Sequence, residues 1–290
     1  ILLIDKPLTW SSFQAVNKLK YVLKKHYDLP KKFKIGHAGT LDPLASGLLI
    51  ICTGKFTKKI TEIQSQEKEY TGTITVGATT PSYDLETDID ATFPTAHITD
   101  ALINETTNQF LGEIDQKPPV FSAIKKDGKR LYEHARAGEE VEIKARKTTI
   151  YEFEITRIQL PEIDFRIKCS KGTYIRSIAY DFGIALQSGG HLTALRRTKI
   201  GDYDVNNAVD PVSFEKNIVI LDGELLVGKD YIPMNFNTLQ QRLNRKKVSQ
   251  KHIDDFPAFV KLYDILYLNN EDLREKNWDE RRTILESWYC

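Results

Sequence analysis

Residues 36–47 read GHAGTLDPLASG. Three glycines and a proline within twelve residues make a rigid loop, and its single acid, Asp42, is followed directly by Pro43. Composition alone reads such an Asp as a turn former. The apolar run Leu48–Cys52 comes next and has the length of a buried strand or a helix turn. The loop therefore runs straight into a core element, with a carboxylate exposed at its bend.

Upstream of this loop lies a Lys-rich segment, Lys31–Lys34. Before that, Ser11 or Ser12 can cap a helix carrying Phe13, Val16, Leu19 and Leu23 at helical spacing. Ile1–Asp5 is a short apolar strand ending at Lys6-Pro7. Downstream, Glu69–Gly77 (EYTGTITVG) alternates and is rich in Thr, which predicts a strand. Residues 79–97 read as an acidic loop and 98–111 as a helix. The polar stretch 117–147 is punctuated by Pro118-Pro119, Asp127-Gly128 and Gly138, and predicts an excursion built on a hairpin with a helical piece near 132–137. Strands are expected at 148–160 and 164–171, and a helix from 173 to about 186. A break at Gly189-Gly190 and the basic stretch LTALRRTKIGDY follow. Mixed strands and helices imply a sheet protein of the α/β or α+β class.

The 290 residues are 41% hydrophobic, ordinary for a globular protein, and hold no run of 18 apolar residues, so no membrane span is expected. The opening ILLIDKPLTW lacks the basic start and cleavage site of a signal peptide. Three cysteines, Cys52, Cys169 and Cys290, are odd in number and far apart. They argue against a disulfide framework or a zinc site and for core thiols in a reducing cytoplasm. A net charge of +1 hides a pattern along the chain. Residues 1–50 carry eight Lys against three acids, residues 51–100 four Lys against eight acids, and residues 165–200 seven Lys/Arg against Asp181 alone. Two basic blocks around an acidic one suit a surface with one cationic face, as binding to a phosphate backbone needs.

The pattern G-H-x-G-T-L-D-P-x-A-x-G resembles the signature of the T-loop tRNA pseudouridine synthases, the TruB family. Other segments resemble that family in its order: LLIDKPLTWSSF at the start, and Lys68-Glu69-Tyr70 as a K-x-Y motif. QKPPVFSAIKKDGKRLYEHARAG (116–138) resembles the thumb that closes over the RNA arm, with Phe121 where Tyr is usual. CSKGTYIRSIAYDFG (169–183) and LRRTKIGDY (195–203) resemble the two later active-site motifs. The resemblance covers residues 1–216. It implies the pseudouridine-synthase fold, a mixed, mostly antiparallel central sheet flanked by helices, with a thumb loop at about 117–147. It also implies isomerisation of tRNA uridine 55, a redox-neutral reaction that needs no metal or organic cofactor. Asp42 would be the catalytic carboxylate, as nucleophile or as base. Arg176 would pair with it, and Tyr70 would stack on the extruded uracil. His37 would fill the space the base leaves or contact the loop. Tyr174 and Leu195 would wall the pocket, and Lys125, Lys126, Arg130, Arg196 and Arg197 would be candidate phosphate contacts. The expected partner is the tRNA T-arm, with no membrane and no obligate protein partner.

Residues 217–290 read differently. IVILDGELLVG (218–228) predicts a strand, Leu239–Lys247 a short basic helix, AFVKLYDILYL (258–268) a strand and Trp278–Trp288 a helix. Family members usually end in a small RNA-binding domain or stop soon after the IGDY segment. This stretch instead resembles an incomplete α/β fragment of the nucleotidyltransferase domain of ATP-dependent DNA ligases. There the D-G-E glutamate, Glu224 here, would contact the adenylate ribose or a metal, and Tyr263 would stack on adenine. Lys125–Arg130 spells the K-x-D-G-x-R of a ligase nucleophile, but its neighbours on both sides fit the thumb, and no K-x-K follows the tail. The fragment is expected to be non-functional and loosely packed for want of partner strands. A bifunctional fusion with a ligase-like domain and a non-catalytic tRNA-binding module are the competing readings. The Asp42, Tyr70 and Arg176 set opposes the second, because binding alone needs no pocket carboxylate.

Overall fold

The apolar segments before residue 212 assemble into one nine-stranded sheet. Its strands are β1 (Leu2–Lys6), β2 (Ile35–His37), β3 (Ser46–Thr53), β4 (Lys68–Val76), β7 (Gly112–Gln116), β10 (Arg146–Gln159), β11 (Glu162–Cys169), β12 (Gly190–Ile200) and β13 (Tyr203–Asp204). Two small hairpins lie off it, β5 (Ala78–Thr79) with β6 (Ala91–Thr92), and β8 (Lys125–Lys126) with β9 (Lys129–Arg130). The strand order is β1-β3-β12-β4-β11-β10-β7, with β2 on β3 and β13 on β12. The ladders of this sheet are antiparallel except β3–β12, whose rungs are Arg196↔Ser46 and Arg197↔Gly47. This is the mixed, mostly antiparallel sheet that the resemblance implies. The helices are α1 (Ser12–His26), α2 (Ile60–Ser65), α3 (Asp100–Thr107), α4 (Leu131–Arg136) and α5 (Ile175–Ala185).

The structure, a computed structural model, describes the chain except residues 28, 123, 127, 138, 140, 142, 218, 230, 231, 235–253, 256, 270 and 290. The chain divides into two compact units, Ile1–Val212 and Ser213–Cys290. Among the described residues no helix is long and apolar enough to cross a membrane.

In the first unit β3 is buried from Gly47 to Cys52, on both faces, which is why its sequence is a continuous apolar run rather than an alternation. One side of the sheet packs Ile74, Ile163, Phe165 and Ile167 against Ile178 and Phe182 of α5, each fully or almost fully buried. Each such side chain stabilises the fold by roughly 1.5–3 kcal/mol. The thiols of Cys52 and Cys169 are free and buried.

Helix α1 begins at a capping box. Ser11 Oγ accepts from the Gln14 N–H at 3.2 Å, and the Ser11 N–H donates to Gln14 Oε1 at 2.6 Å. The neighbouring Ser12 is thereby left to reach elsewhere. The buried face of α1 is Ser12, Ala15, Val16, Leu19 and Val22, so the expected stripe is rotated, and Phe13 stands 68% exposed. The larger departure is β12. Its basic residues and the Gly189-Gly190 break conceal a central strand that pairs with β4 on one side and β3 on the other.

The second unit holds a four-stranded antiparallel sheet in the order β15-β14-β16-β17, made of β14 (Ile220–Lys229), β15 (Ile232–Pro233), β16 (Ala258–Leu268) and β17 (Glu271–Asp272). Helix α6 (Trp278–Tyr289) is tied to this sheet by Arg281, whose Nη2 and Nε reach Asp264 at 2.8–3.0 Å. The expected loose packing is corrected in part. The described residues close a sheet of their own, around the small core of Ile265, Leu273 and Leu285. The expected helix at 239–247 lies outside the described residues.

Candidate active site

The Gly36–Gly47 loop is clamped by the N-terminal segment. The buried Ser12 hydroxyl donates to Leu41 O at 3.0 Å and accepts from the Leu41 N–H at 2.8 Å, and the Thr9 N–H donates to Pro43 O at 2.8 Å. That segment is in turn folded around Lys6. Its Nζ is fully buried and donates to Pro7 O at 3.0 Å and Trp10 O at 2.6 Å. Burial pulls the Lys6 amine down to about 8, against the opposing pull of Asp42. The opening LIDKPLTWSS is thus a bracket that fixes the backbone on both sides of Asp42.

Arg197 holds the same loop from the opposite side. It is 1% exposed, and its guanidinium donates to Leu48 O at 2.8 Å, Gly39 O at 3.2 Å and Thr40 O at 3.3 Å. This corrects the expectation of a surface phosphate contact. The parallel rung with Gly47 carries Arg197 inward, where backbone carbonyls take up its donors. Arg196, one residue earlier, grips Asp5 with both Nη atoms at 2.9 and 2.7 Å, so its charge is already paired. The backbones of Lys125, Lys126 and Arg130 form the β8–β9 hairpin, and their side chains lie outside the described residues.

Asp42 and Arg176 meet. Arg176 Nη2 lies 2.9 Å from Asp42 Oδ2, with the Arg176 side chain 6% exposed and that of Asp42 43% exposed. The cation is buried and the acid faces outward, an arrangement that keeps a carboxylate aimed at an incoming group. Arg176 Nη1 also faces Asp84 Oδ2 at 3.4 Å and donates to Ser82 O at 3.4 Å. The Asp84 side chain is only 7% exposed. In the sequence Asp84 is one acid among several in the acidic loop 79–97. The surrounding hydroxyls were the available signal, since Thr80 and Ser82 both donate to Asp84 O, at 2.7 and 3.2 Å, and knot the turn. Tyr83 then stacks on Tyr180 with ring centroids 4.1 Å apart. Tyr180 is one turn after Arg176 on α5, so the acidic loop and the arginine are fastened to one helix face.

This pair borders a cavity of about 390 Å³ whose lining includes Asp42, Lys68, Tyr70, Tyr174, Arg176, Leu195 and Arg197. Three cations face one carboxylate along that wall, which suits a polyanionic guest. Lys68 is 7% exposed and its Nζ donates to Gln64 O at 2.6 Å and Gln66 O at 2.5 Å. Burial, with Arg197 and Lys171 adding to it, lowers its amine to about 8. Tyr70 is 9% exposed and Tyr174 partly exposed, and burial pushes both phenols up. A smaller cavity of about 70 Å³ lies along the same ion pair and has Leu44, Leu192 and Leu195 among its walls. The structure therefore brings Asp42, Tyr70, Tyr174, Arg176 and Leu195 to one place. His37 is not among the residues lining either cavity; it sits on β2 opposite Ile51, its ring pulled toward the neutral form by burial.

In the second unit Glu224 and Tyr263 come together across β14 and β16, the Tyr263 hydroxyl donating to Glu224 Oε2 at 2.6 Å. Both groups named from the ligase resemblance are thus engaged with each other at an exposed position.

Comparison with known proteins places both parts. Residues 199–289 match the ATP dependent DNA ligase domain, in agreement with the reading of the tail. Residues 24–175 match the TruB family pseudouridylate synthase (N terminal domain). The chain is 77% identical over 218 residues to tRNA pseudouridine synthase B of Flavobacterium johnsoniae, covering 75% of this chain and 95% of that one. It is 55% identical over 214 residues to tRNA pseudouridine synthase B of Phocaeicola vulgatus, covering 74% and 91%. Among solved structures, a chain of a Cbf5-Nop10-Gar1 complex superposes with a TM-score of 0.54 at 28% identity, over 71% of this chain. This chain spans about half, 51%, of the length of that one. The signature loop 36–47 lies inside the region that the family model matches, and the chain belongs to the TruB family of pseudouridylate synthases.

Proposed function

We propose that this chain isomerises the T-loop uridine at position 55 of tRNA to pseudouridine, with Asp42 as the catalytic carboxylate. The observation that carries the proposal is the outward-facing Asp42 carboxylate, 2.9 Å from a buried Arg176, at the rim of a cavity walled by Tyr70. The reaction breaks the bond from ribose C1′ to uracil N1, turns the base, forms the bond from C1′ to C5, releases the C5 proton to solvent and returns one proton to N1. Nothing is oxidised or reduced, so one carboxylate acting as nucleophile or base suffices. A volume of about 390 Å³ falls in the usual range of small-ligand sites and admits a flipped base with its sugar. Lys68, Arg176 and Arg197 set a positive potential there that favours an RNA phosphate chain over a neutral guest. The T-arm of tRNA is the natural substrate in this reading, received under the thumb of residues 117–147.

Residues 1–216 are the catalytic domain in this proposal, and the ligase-like residues 217–290 contribute no activity of their own. The deciding experiment is tritium release from C5-labelled tRNA by the parent chain and by Asp42→Asn. The amide keeps the shape and removes the charge, so turnover should vanish while tRNA affinity stays within a few-fold. Substantial release by the Asn variant would refute the role of Asp42.

A further inference from the structure

We propose that Gln116 is a positioning residue that couples the thumb to the helix presenting Arg176; the proposal rests on reading the cavity as the uridine site. Gln116 is the last residue of β7, so the thumb begins at the next peptide. Its partner across the ladder is Arg146, where the excursion returns, which makes that rung the root of the thumb.

Gln116 is 3% exposed, and its side chain holds Tyr174 by both of that residue's backbone groups. Gln116 Nε2 donates to Tyr174 O at 3.0 Å, and the Tyr174 N–H donates to Gln116 Oε1 at 2.8 Å. An amide that gives and takes at one residue copies a rung of a β-ladder. Because the site is buried, losing it leaves two backbone groups without partners. Tyr174 is the N-cap of α5 and has no side-chain capping bond of its own, and Arg176 follows two residues later. A second tie runs beside the first: Ser177 Oγ donates to Lys117 O at 2.8 Å. The thumb root is therefore fastened to α5 on both sides of Arg176. Further along the thumb, Ser122 and Ile124 line the same cavity as Tyr174 and Arg176. A load that RNA places on the thumb reaches its root and, through Gln116, the segment that sets where Arg176 holds Asp42.

Two variants separate this coupling from plain structural support. Gln116→Leu removes both bonds at similar volume, and Gln116→Glu keeps the acceptor but loses the donor. Each is compared with the parent full-length chain using a T-arm hairpin RNA, by equilibrium binding, single-turnover isomerisation and hydrogen exchange with and without RNA. The expected result is hairpin affinity within about threefold of the parent and a single-turnover rate at least tenfold lower in Gln116→Leu, with a smaller loss in Gln116→Glu. RNA should slow exchange in both the thumb and residues 174–180 of the parent. In the variants the thumb protection should persist while the added protection at 174–180 is lost. If Gln116→Leu does not fold, Gln116→Glu carries the same comparison. An unchanged rate in a folded variant, or RNA-induced protection of 174–180 that survives the substitution, overturns the coupling. A parent chain that leaves the hairpin uridine unchanged overturns the uridine-site reading instead.

Discussion

Gly47→Ala should be among the most damaging single methyl additions in this chain. Gly47 has a φ of +103°, and a Cβ placed on it would stand 2.3 Å from Arg197 O and 2.8 Å from Arg197 N. These are backbone atoms of β12, held by ladders to β3 and β4, so no side-chain rotation relieves the contact. Forcing alanine into this backbone region costs about 1–3 kcal/mol. Overpacking against a fixed backbone adds about 1–3 kcal/mol more. A total near 4 kcal/mol follows, which for a unit of this size lowers the thermal midpoint by about 8–16 °C. Gly54→Ala is the control. It also changes a positive-φ glycine, at +54°, but no atom lies within 4 Å of the added Cβ, so only about 1–2 kcal/mol of backbone cost is expected. The displacement at Gly47 also reaches Arg197, whose guanidinium holds the Gly39 and Thr40 carbonyls beside Asp42, so activity should fall ahead of unfolding. Urea denaturation followed by isomerase activity and by hydrogen exchange of the β12 amides measures both effects. If Gly47→Ala unfolds within about 1 kcal/mol of Gly54→Ala, the clash argument is wrong, since backbone strain without a clash predicts a gap no larger than that.

Asp84→Asn should slow single-turnover isomerisation by about tenfold with little change in RNA affinity, because it removes one of two carboxylates on Arg176 and costs about 1.5 kcal/mol of a charged contact. An unaltered rate would mean that Asp42 alone positions the guanidinium. Lys6 makes stability depend on pH in the alkaline range. Burial lowers its folded value from 10.5 to about 8, so between those values the unfolded chain binds the extra proton and stability rises with pH. The stability of the parent relative to that of Lys6→Met should therefore rise from pH 8 to 10.5, by at most about 3.4 kcal/mol, and a flat difference would contradict the buried amine. A chain ending near Lys216 should retain the isomerase activity of the full chain, and incubating the full chain with ATP and magnesium should add no mass matching AMP. An AMP adduct would revive the bifunctional reading.

Much of the fold was legible because its signals are local. The capped start of α1, the alternation of β4 and the strands near 148–160 and 164–171 each depend on neighbours a few residues away, and they stand where the periodicity put them. The same holds in the tail for β14, β16 and α6. Family resemblance added what periodicity lacks, singling out Asp42 and Arg176 although 134 residues separate them.

What escaped the sequence depends on contacts between distant segments. An arginine in a basic stretch looks like a phosphate contact. Arg197 becomes a buried clamp only because β12 inserts between β3 and β4, bringing it beside Leu48 O, 149 residues earlier. Asp84 looked like one more acid in a solvated loop until Arg176 arrived from α5 to share it. Gln116 stands at the head of the thumb-like stretch, but the sequence does not show its role, since an amide reveals its partner only when a backbone segment 58 residues away is packed against it. Local pattern settled most of the strands and helices, though not β12, and which residue types could do the chemistry. Tertiary packing alone decided which polar groups lost their water and, having lost it, which partners they had to take.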